Sequence, residues 1–125
     1  MKKIDSFSIV IPAFNEQDNI AILLDEIFKA LENSKYNFEV IIIDDNSNDK
    51  TNFIATNYLK IKNKKIIRSN VQNGQSKSIL IGIKLASFDN IVTIDADLQN
   101  DPKDILELAE VYFSNKEYKM VAGIR

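Results

Sequence analysis

Short apolar runs alternate with helix-period stripes along the whole chain. Residues 7–11, 40–43, 65–68, 91–94 and 120–124 are rich in β-branched side chains and have the length of strands. Between them, Ile20, Leu23, Leu24, Ile27, Phe28 and Leu31 fall three and four apart and form one apolar helix face. Ile54, Tyr58 and Ile61 make a weaker second stripe, Ile79, Ile83 and Ala86 a third, and Ile105, Leu108, Ala109 and Tyr112 a fourth. Asp101-Pro102 supplies a cap and a first-turn proline for the last helix, and Asp104 suits its positive end. The order βαβαβαβαβ, without linker or repeat, predicts an α/β domain with a parallel sheet covered on both faces. The runs SIVI and VIII carry no charge, as strands buried on both sides should not.

In such sheets ligands bind outside the carboxyl ends of the strands, where the strand order reverses. Polar residues concentrate at those ends. Strand 1 runs into Pro12-Ala13-Phe14-Asn15-Glu16, strand 2 into Asp44-Asp45-Asn46-Ser47-Asn48-Asp49, and strand 4 into Asp95-Ala96-Asp97-Leu98-Gln99. Strand 3 leads through Arg68-Ser69-Asn70 to Asn73-Gly74-Gln75-Ser76. On an extended chain Asp95, Asp97 and Gln99 would point the same way. Three such oxygen donors suit a hard divalent cation with positions left for a phosphate-bearing ligand; alternatively the aspartates cap the turn and helix that follow. Asp44 and Asp45 fit either hydrogen bonding to a ribose or base, or a turn with a helix cap, Asp45 being the better candidate to face the crevice. Phe14 suits stacking on a base and Glu16 suits sugar hydroxyls, while a plain strand-to-helix turn capped by Asn15 explains the same residues. Turn chemistry accounts for Asn73-Gly74. The only glycines are Gly74, Gly82 and Gly123, so no GxGxxG dinucleotide fingerprint exists.

Composition narrows the chemistry. The chain has 125 residues, one domain's worth, with a net charge of −2, which argues against a broad nucleic-acid footprint. Lys60, Lys62, Lys64 and Lys65 form the one dense basic cluster and read as a solvated turn. With no cysteine and no histidine, thiolate nucleophiles, disulfides and the usual general base are excluded. Catalysis must rest on carboxylates, a bound metal, lysine or hydroxyls. The N-terminal apolar run is interrupted too soon for a signal peptide, and no stretch approaches the roughly 20 apolar residues that span a bilayer. A soluble, cytoplasmic protein is expected.

Taken in order, IVIPAFNE, EVIIIDDNSNDKT, NGQSKSILIGIKLA, IVTIDADLQNDP and VAGIR resemble glycosyltransferase family 2, and within it the polyprenyl-phosphate sugar transferases of the dolichol-phosphate mannosyltransferase type. The resemblance implies a Rossmann-like GT-A fold that binds a UDP- or GDP-sugar with Mg²⁺ or Mn²⁺. By position, Pro12, Phe14 and Glu16 would contact the nucleoside, and Ile43 and Asp45 would line the base and ribose pocket. Asp95 and Ala96 would flank the nucleotide, Asp97 and Gln99 would be the metal ligands, and Arg125 would lie near the phosphates. The implied reaction is inverting transfer to a polyprenyl phosphate or another glycan acceptor, at the cytoplasmic face of the membrane where the acceptor is a lipid. An acceptor that is already anionic needs no strong base, which fits a chain without histidine.

Similar enzymes continue well past the arginine segment. Residues 1–125 are therefore expected to be a single but incomplete donor-binding domain. Its exposed sheet edge should either pair with a second copy or take residues 120–124 beside strand 4. A non-catalytic nucleotide-sugar-binding module is the main alternative. A phospho-receiver domain has the right size but needs an acid pair after strand 1 and an aspartate after strand 3, where Asn15-Glu16 and Arg68-Ser69 stand.

Overall fold

In the computed structural model, which describes residues 5–99 and 101–114, four strands form one parallel sheet in the order β3-β2-β1-β4. β1 (Ser6–Ala13) and β2 (Asn37–Asp44) are its long central pair, β3 (Lys64–Arg68) flanks β2, and the short β4 (Ile91–Thr93) flanks β1. The expected fifth strand at 120–124 and Arg125 lie outside the described residues. The chain moves outward from β1 through β2 to β3, then returns to the other side of β1. The strand order thus reverses between β1 and β4, and the crevice of an open parallel sheet belongs there.

The sheet's two faces are covered unequally. Phe7, Ile9, Ile11 and Ala13 alternate along β1 onto one face, where Val40 and Ile42 join them. α1 (Ile20–Leu31) buries Ile20, Leu23, Leu24, Ile27 and Leu31 against that face, the stripe expected of it. Each such side chain taken from water contributes roughly 2 kcal/mol. Ala55 of α2 (Thr51–Thr56) and Ile105 and Ala109 of α4 (Lys103–Ser114) complete this core. α2 is shorter than its stripe implied: Asn57 ends it, its side-chain amide donating to the Phe53 carbonyl, and Tyr58 and Ile61 follow beyond the helix. Asp101 caps α4 as expected, its carboxylate accepting from the Lys103 N–H at 3.0 Å.

α3 (Gln75–Leu85) covers the other face, and here the hydrophobic pattern misleads. The expected stripe was Ile79, Ile83 and Ala86; the buried residues of α3 are Ser78 and Gly82, and Ile83 is 41% exposed. The reason is proximity. A Cβ built on Gly82 would overlap the Val10 side chain, so α3 lies so close to β1 that only its smallest positions fit underneath. Under the far end of α3 the sheet also buries a charge. Glu39 is wholly buried, accepts from the Ser8 hydroxyl at 2.6 Å and from the Ser87 N–H, and pairs with Lys65 at 3.1 Å. Burial pushes its carboxyl up, but these donors outweigh burial and hold it below the ordinary range.

Candidate functional site

The loops after β1 and β2 are laced together by side chain–backbone hydrogen bonds. The Asn15 N–H donates to the Ser47 hydroxyl (2.9 Å), the Asn48 N–H to the Asn15 side-chain amide oxygen Oδ1 (3.0 Å), and the Glu16 N–H to the Thr51 hydroxyl (2.8 Å). Asn15 and Asn46 both take left-handed backbone, at φ 51° and 65°, which asparagine tolerates better than most residues. Asn15 thus ties two loops together; the N-cap position of α1 belongs to Asn19. Most of the polar run 44–49 is occupied in the same way. Asp44 is wholly buried, accepts from the Ser47 N–H (2.9 Å), and is paired with Arg68 (2.9 Å), whose guanidinium also donates to the Ser47 carbonyl (2.7 Å).

Asp45 is held differently. Its N–H donates to the Ala13 carbonyl, which carries the β1–β2 ladder one step past the strands. Its two carboxylate oxygens accept the N–H groups of Asn73 (2.7 Å) and Gly74 (2.8 Å). Gly74 has φ 90°, a conformation open to glycine and costly for other residues. The Asn73-Gly74 turn is therefore pinned by Asp45, and α3 starts at the crevice wall.

After β4 the chain leaves extended conformation. β4 ends at Thr93, and Leu98 has φ 64°, so the alternation argument for Asp95, Asp97 and Gln99 does not hold through this segment. Asp95 accepts from the Gln75 amide across the crevice at 2.6 Å, and Asp97 accepts from the Gln99 N–H at 3.1 Å. The second of these caps the turn that follows, the alternative use of these aspartates.

These strand ends enclose a crevice of about 250 Å³ lined by Pro12, Phe14, Glu16, Asp45, Asp95, Ala96 and Asp97, with Gly74, Gln75 and Ser78 from the α3 side. Seven of the sequence-predicted residues thus meet at the topological switch point. Phe14 is 40% exposed, an aromatic face available at the mouth. Two others are not brought there. Ile43 is wholly buried within β2, and Gln99 borders a neighbouring hollow with Glu26, Lys29 and Lys103, because the turn at Leu98 carries it away. Gln75 and Ser78 are crevice residues to which sequence reasoning gave no role; the available signal was their position in the first turn of a helix that begins at a strand-end turn.

The crevice has a definite charge character. Glu16, Asp45, Asp95 and Asp97 line it, and no lysine or arginine does so among the described residues. Among the described residues no group of three or more His, Cys, Asp or Glu is arranged to hold a metal. Asp95 and Asp97 nonetheless suit Mg²⁺ or Mn²⁺ by donor chemistry, since such ions are commonly held by one or two carboxylates with the remaining positions filled by phosphate and water. Among the described residues no helix is long and apolar enough to cross a membrane.

An open parallel sheet whose crevice lies at the switch point defines a Rossmann-like α/β domain, and here that crevice is acidic. The chain belongs to glycosyl transferase family 2, whose profile matches residues 8–125. It is 33% identical over 124 residues to undecaprenyl-phosphate 4-deoxy-4-formamido-L-arabinose transferase of Pectobacterium atrosepticum, covering 98% of this chain and 37% of that protein. The chain thus spans little more than a third of this relative's length. The fold is similar to that of S. aureus TarS in complex with UDP-GlcNAc, at 27% identity and TM-score 0.73, covering 87% of this chain and 31% of the other. It is also similar to the mannosyltransferase PcManGT from Pyrobaculum calidifontis in complex with GDP-Man and Mn²⁺, at 21% identity and TM-score 0.69, covering 80% and 30%. The fold is the GT-A type, a mostly parallel sheet with helices on both faces.

Proposed function

We propose that this chain is the donor-binding part of a glycosyltransferase that takes a sugar from a UDP- or GDP-sugar and passes it, with inversion, to a polyprenyl phosphate. The observation that carries this is the convergence of Glu16, Asp45, Asp95 and Asp97, from three strand ends, on one crevice without a basic lining residue among the described residues. A site so acidic accepts a diphosphate only together with a cation, and it rejects free anions. The name of the Pectobacterium relative supports the polyprenyl-phosphate acceptor, and the TarS and PcManGT complexes support a nucleotide sugar and Mn²⁺ as the ligands.

In this reading Phe14 stacks on the base at the mouth, and Glu16 and Pro12 border the nucleoside. Asp45 sets the wall by holding Asn73 and Gly74 and offers its remaining lone pairs to the ribose. Asp95 and Asp97 orient the diphosphate end and hold Mg²⁺ or Mn²⁺, which when bound neutralises the charge that develops on the departing diphosphate. Ala96, small and buried between them, lets the ligand approach the backbone. Gln99 would join the metal only if the turn at Leu98 swung its side chain toward the crevice. An anionic lipid acceptor puts the reaction at a membrane surface, in this reading the cytoplasmic one.

Titration calorimetry with UDP and GDP in the presence of Mn²⁺ tests the reading. One of the two should bind, binding should vanish on chelation, and Asp97→Ala should weaken it at least about tenfold, the loss of a charged ligand contact. Absence of binding by either nucleotide, or full Mn²⁺-dependent affinity in Asp97→Ala, would overturn it.

A further inference from the structure

Ser78 lines the floor of the crevice, is wholly buried, and its hydroxyl has no hydrogen-bond partner among the described residues. A buried hydroxyl without a partner is a standing cost to the fold, and an alanine would occupy the same space and favour the helix more. We propose that Ser78 is a donor-binding residue whose hydroxyl hydrogen-bonds the nucleoside of the bound donor. The inference rests on the nucleotide reading above and adds a contact to it.

The surroundings select the part of the ligand. Ser78 lies one helical turn into α3, its N–H donating to the Gly74 carbonyl at 3.1 Å. The start of this helix attracts negative charge, and the protein already supplies it: the Asp45 carboxylate takes the Asn73 and Gly74 N–H groups. A phosphate drawn to the same place would meet Asp45 at close range. The group that suits this floor is therefore neutral, and a hydroxyl that both donates and accepts matches the carbonyl and N–H edge of a base or a ribose hydroxyl. The metal and diphosphate belong to the other end, with Asp95 and Asp97. Gln75, in the same turn of α3, bonds Asp95 at 2.6 Å, so the start of α3 borders the crevice on both the Asp45 and the Asp95 side.

The test is Ser78→Ala, read by stability and by binding together. Without ligand the variant should unfold at a higher temperature, by about 4 °C, because an unmet polar group has been removed. Ser76→Ala, an exposed position on the same helix, gives the part due to helix propensity alone, and Ser78→Ala should exceed it. In Mn²⁺ the variant should bind UDP or GDP, whichever the wild type takes, about fivefold more weakly, the equivalent of one neutral hydrogen bond. Its affinity for Mn²⁺-pyrophosphate, which has no nucleoside, should match that of the wild type. A variant that binds the nucleotide as tightly as the wild type overturns this inference and leaves the nucleotide reading standing; so does an equal loss toward pyrophosphate, or a lowered melting temperature. If the wild type binds neither nucleotide, both fall.

Discussion

Replacing Gly82 with alanine should destabilise the protein although alanine is the better helix former. A Cβ at this position would overlap Val10 Cγ1 and lie 3.2 and 3.3 Å from the Cγ2 and Cβ of the same side chain. Val10 is wholly buried in the central strand, so its side chain can withdraw only by displacing its neighbours. Overpacking of this kind costs about 2 kcal/mol. Removing a glycine from a helix interior returns about 1 kcal/mol, which leaves a net loss of about 1 kcal/mol. Val10→Ala alone removes buried methyl groups and leaves a small cavity, for about 2.5 kcal/mol. In the double variant the overlap disappears and the helix gain remains, so the loss should be about 1.5 kcal/mol against about 3.5 kcal/mol by addition. Urea unfolding of the four proteins, with unchanged m-values, measures this cycle. If Gly82→Ala is as stable as the wild type, or the two changes add to within about 0.5 kcal/mol, the close approach of α3 to β1 does not exist as described. The cycle has a functional counterpart. α3 carries Gln75 and Ser78, so a helix lifted by Gly82→Ala should also weaken Mn²⁺-dependent nucleotide binding, and Val10→Ala should restore part of it.

Arg68→Ala leaves the wholly buried Asp44 carboxylate without its cation and the Ser47 carbonyl without a donor. Because the Arg68 side chain is 45% exposed, the loss should be about 2 kcal/mol by urea unfolding, less than for a fully buried pair, and a change under about 0.5 kcal/mol would refute the pairing. Glu39 sits below its ordinary carboxyl range, so the native state favours its charged form. Its contribution is complete above the unfolded value and is lost as pH falls through the lower folded one. The stability difference between wild type and Glu39→Gln should therefore hold steady from pH 7 to about 5 and shrink below about 4.5; a difference constant down to pH 3 would contradict it. Gly74→Ala, at φ 90° and ψ 164°, should cost about 2 kcal/mol through backbone strain, seen as a lowered urea midpoint at unchanged m-value.

Where one rule governed, the linear pattern was enough. α1 buries every residue of its stripe except the half-buried Phe28, because a face of large apolar residues at helical spacing has one way to leave water. Parallel pairing followed from alternating strands and helices, and the crevice residues followed from strand ends that turned polar abruptly. Asp101 capped α4 as its neighbourhood implied. The segments failed where two rules competed. After β4 a turn overrode strand alternation, and Gln99 went to another hollow. In α3 close packing overrode hydrophobicity, so serine and glycine face inward while Leu80, Ile83 and Leu85 are exposed.

The sequence by itself determined the α/β class, the central strands and the chemical inventory: carboxylates, hydroxyls and lysines, without histidine or cysteine. Those properties depend on residue type and local periodicity, which the chain carries at every position. The division of labour among the acids was decided only by tertiary structure. Asp44 and Asp45 are adjacent in sequence, yet one is sealed under Arg68 and the other faces the crevice while holding the start of α3. Alternation sends neighbouring side chains to opposite sides, but which side is core and which is crevice depends on β3, α3 and the loop at 69–74, which come later in the chain. The same holds for Ser78: its hydroxyl is ordinary in sequence and becomes a candidate for recognition only because the fold buries it, unpartnered, on the floor of a crevice built by three other strand ends.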